Sequence, residues 1–232
     1  MKSPLLMNNG LNLQAVFNLS ELPESVMNTI TEHALDLSSF KQLILLGHGG
    51  RRMWESLQHS EFADADHPVD HFSVDLVQRY FAEACRGRRY RIIYPCSKQL
   101  VPLQKLGELA GWHHASPFRV GVNEYWGSWF AYRAVVVADT EFVVTSRLSA
   151  PSPCEACSDK PCVSGCPANA LSGNEGSLKP CVDYRLAEHS LCKDRCFSRM
   201  ACPVASEHRY TMEQVNYHYT RSMQTIEEYY PK

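Results

Sequence analysis

Over the first 150 residues, strand-like alternation and helix-like spacing of hydrophobic positions follow one another. Residues 11–17 form a short apolar-rich run and predict a strand. Ser20, Pro23 and Glu24 place proline and acids where a helix N-terminus takes them, and predict a helix reaching Leu37. Residues 40–46 (FKQLILL) read as a buried strand running into a glycine turn at Gly47-His48-Gly49-Gly50, with a helix over 51–58 behind it. The amphipathic pattern is clearest over 68–86, where Val69, Phe72, Leu76, Val77, Tyr80 and Phe81 recur mostly at three- and four-residue steps; this helix is expected to pack on a sheet. Residues 89–94 alternate and predict a strand stopped by Pro95, while Leu103, Leu106 and Leu109 predict a helix over 101–110 ending at Gly111. Two extended segments are predicted at 118–122 and 128–137, the second (SWFAYRAVVV) being the most strand-like stretch in the chain. No regular series of strand-helix-strand units appears, which indicates an α+β sheet-and-helix domain rather than a doubly wound one.

The pattern breaks at 148–153 (LSAPSP), and the following fifty or so residues are rich in Cys, Ser, Lys and Pro with few large aliphatics. Such a segment cannot order itself by hydrophobic burial and needs covalent or metal cross-links. After Cys202-Pro203 the aromatics return, and Thr211-Met212-Glu213-Gln214 looks like a helix start. The expected organisation is a first domain over 1–150, a cysteine-rich segment over 151–204, and a tail over 205–232 that packs back on the first domain.

Composition narrows the function. The 232 residues are 44% hydrophobic, enough for a real core, and the formal net charge of -2 provides no global field for nucleic acid or an anionic membrane. No apolar run approaches a spanning helix, and the polar residues Lys2, Asn8, Asn9 and Asn12 interrupt the first eighteen positions, unlike a signal peptide; a cytoplasmic setting is expected, without a membrane partner. Gly47-His48-Gly49-Gly50-Arg51-Arg52 matches neither a dinucleotide nor a Walker pattern, His113-His114 lacks a third ligand, and no C-x-x-C-H, G-x-S-x-G or H-E-x-x-H occurs.

The cysteines change the picture most. Eight of the ten lie within 154–202, as Cys154-x2-Cys157-x4-Cys162-x3-Cys166-Pro167, then Cys181, then Cys192-x3-Cys196-x5-Cys202-Pro203. Bacterial ferredoxins use C-x2-C-x2-C-x3-C-P, in which three thiolates hold one cubane and the fourth reaches a second. Here the gap between Cys157 and Cys162 is two residues longer. Two 4Fe-4S clusters account best for two Cys-Pro-terminated groups; paired four-cysteine zinc sites, disulfides and free thiols are the alternatives. With one ligand exchanged between motifs, Cys154, Cys157, Cys162 and Cys202 would hold one cluster and Cys166, Cys181, Cys192 and Cys196 the other. Cys85, in the amphipathic helix, and Cys96, after a strand, read as packing residues.

Gly111-Trp112, Gly127-Ser128-Trp129, a strand, and two cysteine motifs separated by Cys181-Val182-Asp183-Tyr184 together resemble the cobalamin-dependent iron-sulfur reductases of the epoxyqueuosine reductase type. Residues 123–137 (NEYWGSWFAYRAVVV), 67–81 (HPVDHFSVDLVQRYF) and 207–219 (EHRYTMEQVNYHY) are similar to segments of CblC-type cobalamin-processing proteins. These resemblances imply a nitroreductase-like α+β domain with a C-terminal ferredoxin-like segment, and a base-off cobalamin reduced by the clusters. Trp129, Phe130 and Tyr132 would then offer aromatic surface to the corrin, Arg133 would match an arginine facing a thiol cosubstrate, and Arg209 falls in a similar motif.

The chain departs from both patterns. Cys96-Ser97-Lys98-Gln99 offers no carboxylate where the epoxyqueuosine enzymes have a proton-donating aspartate, and no stretch up to Lys232 matches the helical repeat that helps those enzymes hold transfer RNA. CblC-type proteins lack the full cysteine set. The expected function is a corrinoid-binding iron-sulfur reductase that draws electrons from a flavodoxin, ferredoxin or thiol, acting on cobalamin itself or on a small molecule, with no nucleic-acid partner. The competing expectations are an electron carrier or sensor without corrinoid and a zinc-stabilised interaction module.

Overall fold

The computed structural model describes residues 3–32, 35–95, 100–172 and 178–230. They fall into two units, one built from Met1–His113 with Phe130–Ser149 and the other from His114–Trp129 with Ala150–Lys232.

The first unit holds a four-stranded antiparallel sheet in the order β1-β2-β4-β3, formed by β1 (Leu13–Asn18), β2 (Gln42–Gly49), β3 (Tyr90–Tyr94) and β4 (Phe130–Ala138). The two most apolar runs in the sequence occupy its centre: β2 is buried along its whole length, and β4 is sealed over 134–138 but half-buried at 131–133. Helices α1 (Pro4–Asn8), α2 (Glu24–Thr31), α3 (Arg52–Gln58), α4 (Pro68–Ala84) and α5 (Leu103–Ala110) complete the unit. Helix α4 lies against β4 and α1, burying Phe72, Leu76, Val77 and Phe81. Each such side chain contributes about 1.5–3 kcal/mol by leaving water.

One buried amide pins the sheet register. Gln42, 3% exposed, donates to Asn18 Oδ1 (3.1 Å) and the Phe142 carbonyl (2.8 Å), and accepts from Thr140 Oγ1 and the Phe142 N–H, both at 2.9 Å. Both ends of the amide are satisfied, so its burial is not penalised. The stretch after β4 then covers the outer edge of β1: Val16 receives the Thr145 N–H on its carbonyl and donates its own N–H to Thr145 Oγ1, each at 3.0 Å.

Several expectations need correction. The helix expected to reach Leu37 stops at Thr31, and Leu35–Leu37 are not helical. Gly47, His48 and Gly49 do not form a turn: they extend β2 opposite Tyr132, Ala131 and Phe130, after a register shift at Leu46/Gly47. A side chain at Gly47 would meet the Ala131 carbonyl at 2.8 Å, so glycine allows the strand to continue. Residues 118–122 form no strand; only Val122 pairs, with His114, because Arg119 takes a left-handed turn at φ 63°.

The second unit contains α6 (Pro161–Ser164), α7 (Lys179–Leu186), α8 (Phe197–Ala201) and α9 (Met212–Tyr229), the last capped by Thr211 Oγ1, which accepts from the Gln214 N–H at 3.2 Å. Its apolar core is small: Trp129, Tyr210 and Val215, with Met200 and Tyr219 packed against it. The tail packs on Trp129, which with the rest of 114–129 clusters with the cysteine-rich segment rather than with the first unit. Among the described residues no helix is long and apolar enough to cross a membrane.

Gly111 closes α5 with φ 76°, and a methyl group there would lie 2.0 Å from the Leu148 carbonyl; Gly87 has φ 79° and open space around it. We predict that Gly87→Ala lowers unfolding free energy by about 1 kcal/mol, the backbone cost alone. Gly111→Ala should cost on the order of 3 kcal/mol because the clash adds to it. Equal midpoints for the two variants in chemical denaturation would contradict this account.

Candidate functional site

Two short helices place four of the eight thiols in the second unit. Helix α8 begins after Cys196, its N-cap, and ends at Cys202, its C-cap, so one helix presents a cysteine at each end. Helix α6 carries Cys162 within it, and Cys166 follows directly after its C-cap, Gly165. The two helices pack together, and Gly165 permits it: a Cβ there would meet the Pro161 carbonyl at 2.9 Å and the Ala201 methyl at 3.2 Å.

Electrostatics sort the thiols into two sets. Burial raises the Cys154 thiol, and its neighbours Cys202 and Cys157 raise it further; Cys162 is raised by burial and then by Cys202, Cys154 and Cys157. Burial likewise raises Cys181, followed by Cys196 and Cys166, with Arg185 and Arg119 opposing. Cys192 is pushed up to about 11, chiefly by burial, with Cys196, Cys181 and Cys166 adding to it. The thiols that repel one another are thus Cys154, Cys157, Cys162 and Cys202 in one set, and Cys166, Cys181, Cys192 and Cys196 in the other.

The second set opens on a cavity of about 180 Å³ walled by Phe118, Val120, Leu171 and Leu178 and lined by all four of its cysteines. Among the described residues every cysteine is a free thiol, and no three His, Cys, Asp or Glu side chains converge where a single ion could be held. Cys85 closes α4 at 7% exposure, in the packing role expected of it, and Cys96 lies outside the described residues.

The five other expected site residues are divided between the units. In the second, Trp129 is fully buried, with guanidinium carbons of Arg199 and Arg209 at 4.7 and 5.6 Å from its ring centroid, and Arg209 donates to the Met200 carbonyl at 2.8 Å. Trp129 is a core residue with no open face for a ligand. In the first, Phe130 and Tyr132 pack edge to face at 6.0 Å. The Tyr132 hydroxyl lies 3.1 Å from His113 Nδ1, and Arg133 donates from Nε to His48 Nδ1 at 2.9 Å. That bond requires Nδ1 of the buried His48 to be without its proton. Burial pushes the Tyr132 hydroxyl well above the usual phenol range, with Glu108 adding to the effect; it also raises Tyr94, against the pull of Arg133.

No protein-family model matches the sequence, and no curated protein matches it either. Solved structures do. An epoxyqueuosine reductase from Streptococcus thermophilus is 11% identical, covering 87% of this chain and 64% of that one, with a TM-score of 0.51. An epoxyqueuosine reductase solved with a tRNA-Tyr epoxyqueuosine-modified stem loop is 14% identical over 90% and 66% of the two chains, with a TM-score of 0.55. A catabolic reductive dehalogenase in complex with 3-bromo-4-hydroxybenzoic acid is 15% identical over 93% and 32%, with a TM-score of 0.56. The chain has the fold of these reductases. It spans about two thirds of the length of the first two and about a third of the dehalogenase.

Sequence reasoning missed the polar partners of the site: His48 and His113 in the first unit, and Arg185, Arg199 and Tyr219 in the second. A histidine in a glycine-rich strand end and arginines between cysteines carry no periodic signal; only the fold shows what they face.

Tyr132 supplies a pH test confined to the first unit. Its folded pKa lies above the unfolded value of 10.0, so its contribution to stability is complete below about pH 10 and is lost as pH rises through the folded value. Tyr132→Phe should cost about 1 kcal/mol at neutral pH through the lost His113 hydrogen bond, and flatten the alkaline fall in stability. An alkaline limb of unchanged slope in urea titrations of the variant would refute this.

Proposed function

We propose that the chain is an iron-sulfur, corrinoid-binding reductase of the cobalamin-dependent type, working in the cytoplasm where thiols stay reduced. The observation that carries the reading is the grouping of eight thiols into two sets of four, to each of which α6 and α8 contribute two. Four thiolates per set is the donor chemistry of a 4Fe-4S cluster. Cys154, Cys157, Cys162 and Cys202 would hold one cluster, and Cys166, Cys181, Cys192 and Cys196 the other. When bound, the clusters supply one-electron transfer; the protein excludes water from them and sets the charge around them.

The corrinoid part of the proposal is supported by the fold shared with the reductive dehalogenase, for which a mechanism of B12-dependent dehalogenation has been suggested. In the first unit, the half-buried stretch 131–133 of β4 interrupts an otherwise sealed strand. Tyr132 and Arg133 there, beside Phe130, are the residues best placed to face a flat ligand. With Trp129 and Arg209 committed to the core of the second unit, these three are the remaining candidates of the five. Electrons would come from a flavodoxin, ferredoxin or thiol, and a small molecule or the cobalamin itself would receive them. Tyr132, held against His113, and Arg133, held against His48, would orient that acceptor.

The test is anaerobic reconstitution followed by titration with hydroxocobalamin. About eight irons per chain with matching sulfide, and a base-off spectral change on adding the corrinoid, are expected. Zinc without iron or sulfide would leave the zinc-stabilised module; clusters without a corrinoid spectral change would leave an electron carrier. Binding of a tRNA stem loop at physiological salt would contradict the exclusion of nucleic acid, which rests on the near-neutral charge.

A further inference from the structure

Among the described residues, Arg185 and Arg199 are the only buried ones that carry a formal charge, at 7% and 8% exposure. Both lie in the second unit, and their hydrogen-bond partners are neutral. Arg185 donates from Nε to the Cys192 carbonyl and from Nη1 to Ser222 Oγ, both at 3.0 Å. Its Nη2 donates to the carbonyls of Tyr219 at 3.0 Å and Lys193 at 3.4 Å. Arg199 donates to the Ser128 carbonyl, hydrogen-bonds with Tyr219, lies 5.1 Å from the Tyr210 ring centroid, and keeps Nε without a partner among the described residues. Among the described residues neither guanidinium is paired with a carboxylate.

A buried cation without a counter-ion costs several kcal/mol, so something nearby must offset it. Both guanidiniums converge on Tyr219, whose ring lies 5.6 Å from the Arg185 carbon and whose hydroxyl reaches both Arg199 and Cys196. The Arg185 charge also acts directly on the Cys181 thiol. Cys181, Cys196 and Tyr219 line the same cavity, as does Arg185. The first thiol set differs: Lys160, the cation that acts on Cys154, is exposed to solvent.

We propose that Arg185 and Arg199, linked through Tyr219, are positioning residues that supply the countercharge of the Cys166, Cys181, Cys192 and Cys196 cluster and raise its reduction potential. This rests on the cluster reading above. Four thiolates around an oxidised cube leave a net double negative charge, and one electron from the donor makes it triple, with no bond formed or broken. Two fixed cations stabilise the more negative form more strongly, and a hydrogen bond from Tyr219 to the Cys196 sulfur acts in the same direction.

The test uses the full chain, reconstituted anaerobically, with iron and sulfide counted before a dithionite titration followed by EPR and visible absorption. The unmodified chain should show two midpoints. R185Q and R199Q should move one midpoint to more negative potential and leave the other in place. R185K and R199K, which keep the charge, should recover most of that shift, and Y219F should give a smaller shift in the same direction. Midpoints that stay put in variants with a full iron and sulfide complement overturn the proposal, as does an equal shift of both. If a glutamine variant fails to take up iron, Y219F carries the comparison, and a Y219F chain with full iron and sulfide whose midpoints both stay in place overturns the proposal. An unmodified chain that takes up no iron defeats the cluster reading itself, and the proposal with it, at the counting step before any potential is measured.

Discussion

The second unit depends on two buried guanidinium groups. Among the described residues its buried apolar side chains are few: the Trp129, Tyr210 and Val215 cluster and, besides buried cysteines, Val122, Val182 and Met223, a small core for a unit of more than eighty residues. Arg185 makes up part of the deficit by tying α7 to the Cys192 loop and to α9 in four hydrogen bonds. Arg199 does the same for α8, the Trp129 turn and the aromatic residues of the tail. Charge-assisted bonds to carbonyls are strong individually, yet the bare cations they bury remain costly. The unit thus keeps two buried cations whose hydrogen-bond partners, among the described residues, are all neutral, and the cluster proposed above would supply the missing negative charge.

The crossing of ligands between the two thiol sets has a simple mechanical origin. A five-residue helix is about 7 to 8 Å long, so side chains at its opposite caps point into different neighbourhoods. Helix α8 sends Cys196 one way and Cys202 the other; α6 and the turn after it do the same with Cys162 and Cys166. Two such helices packed together give each set two of its four thiols; Cys181 comes from α7, and Cys154, Cys157 and Cys192 from the loops. Cys196, at the start of α8, also lies within hydrogen-bond reach of the Tyr219 hydroxyl.

Much of the fold was legible because it rests on burial. The runs 40–46 and 128–137 became the two central strands, and the amphipathic pattern over 68–86 became α4, since apolar periodicity reports the face turned to the core. The misreadings share a different cause. Leu37 was expected to end a helix that stops at Thr31, and 118–122 was expected to extend, because single polar residues and one left-handed Arg119 decide where the chain turns. Gly47 looked like part of a turn because glycine usually marks one; here the close approach of the Ala131 carbonyl requires it inside a strand. In the site, the enclosure of Trp129 could not be read, since an aromatic residue before a strand looks the same whether it meets a ligand or a core.

The longer gap between Cys157 and Cys162 shows why spacing alone is a poor guide to such a site. Residues 158–160 are exposed, and Lys160 adopts φ 39° before Pro161 starts α6. Left-handed backbone at a lysine costs about 1 kcal/mol or more, which is tolerable once per loop. The additional residues are absorbed at the surface while Cys157 and Cys162 stay in the same thiol set. What the chemistry constrains is where the helix ends aim their sulfurs, and a sequence is free to vary the loop between them as long as the next helix starts in the same place.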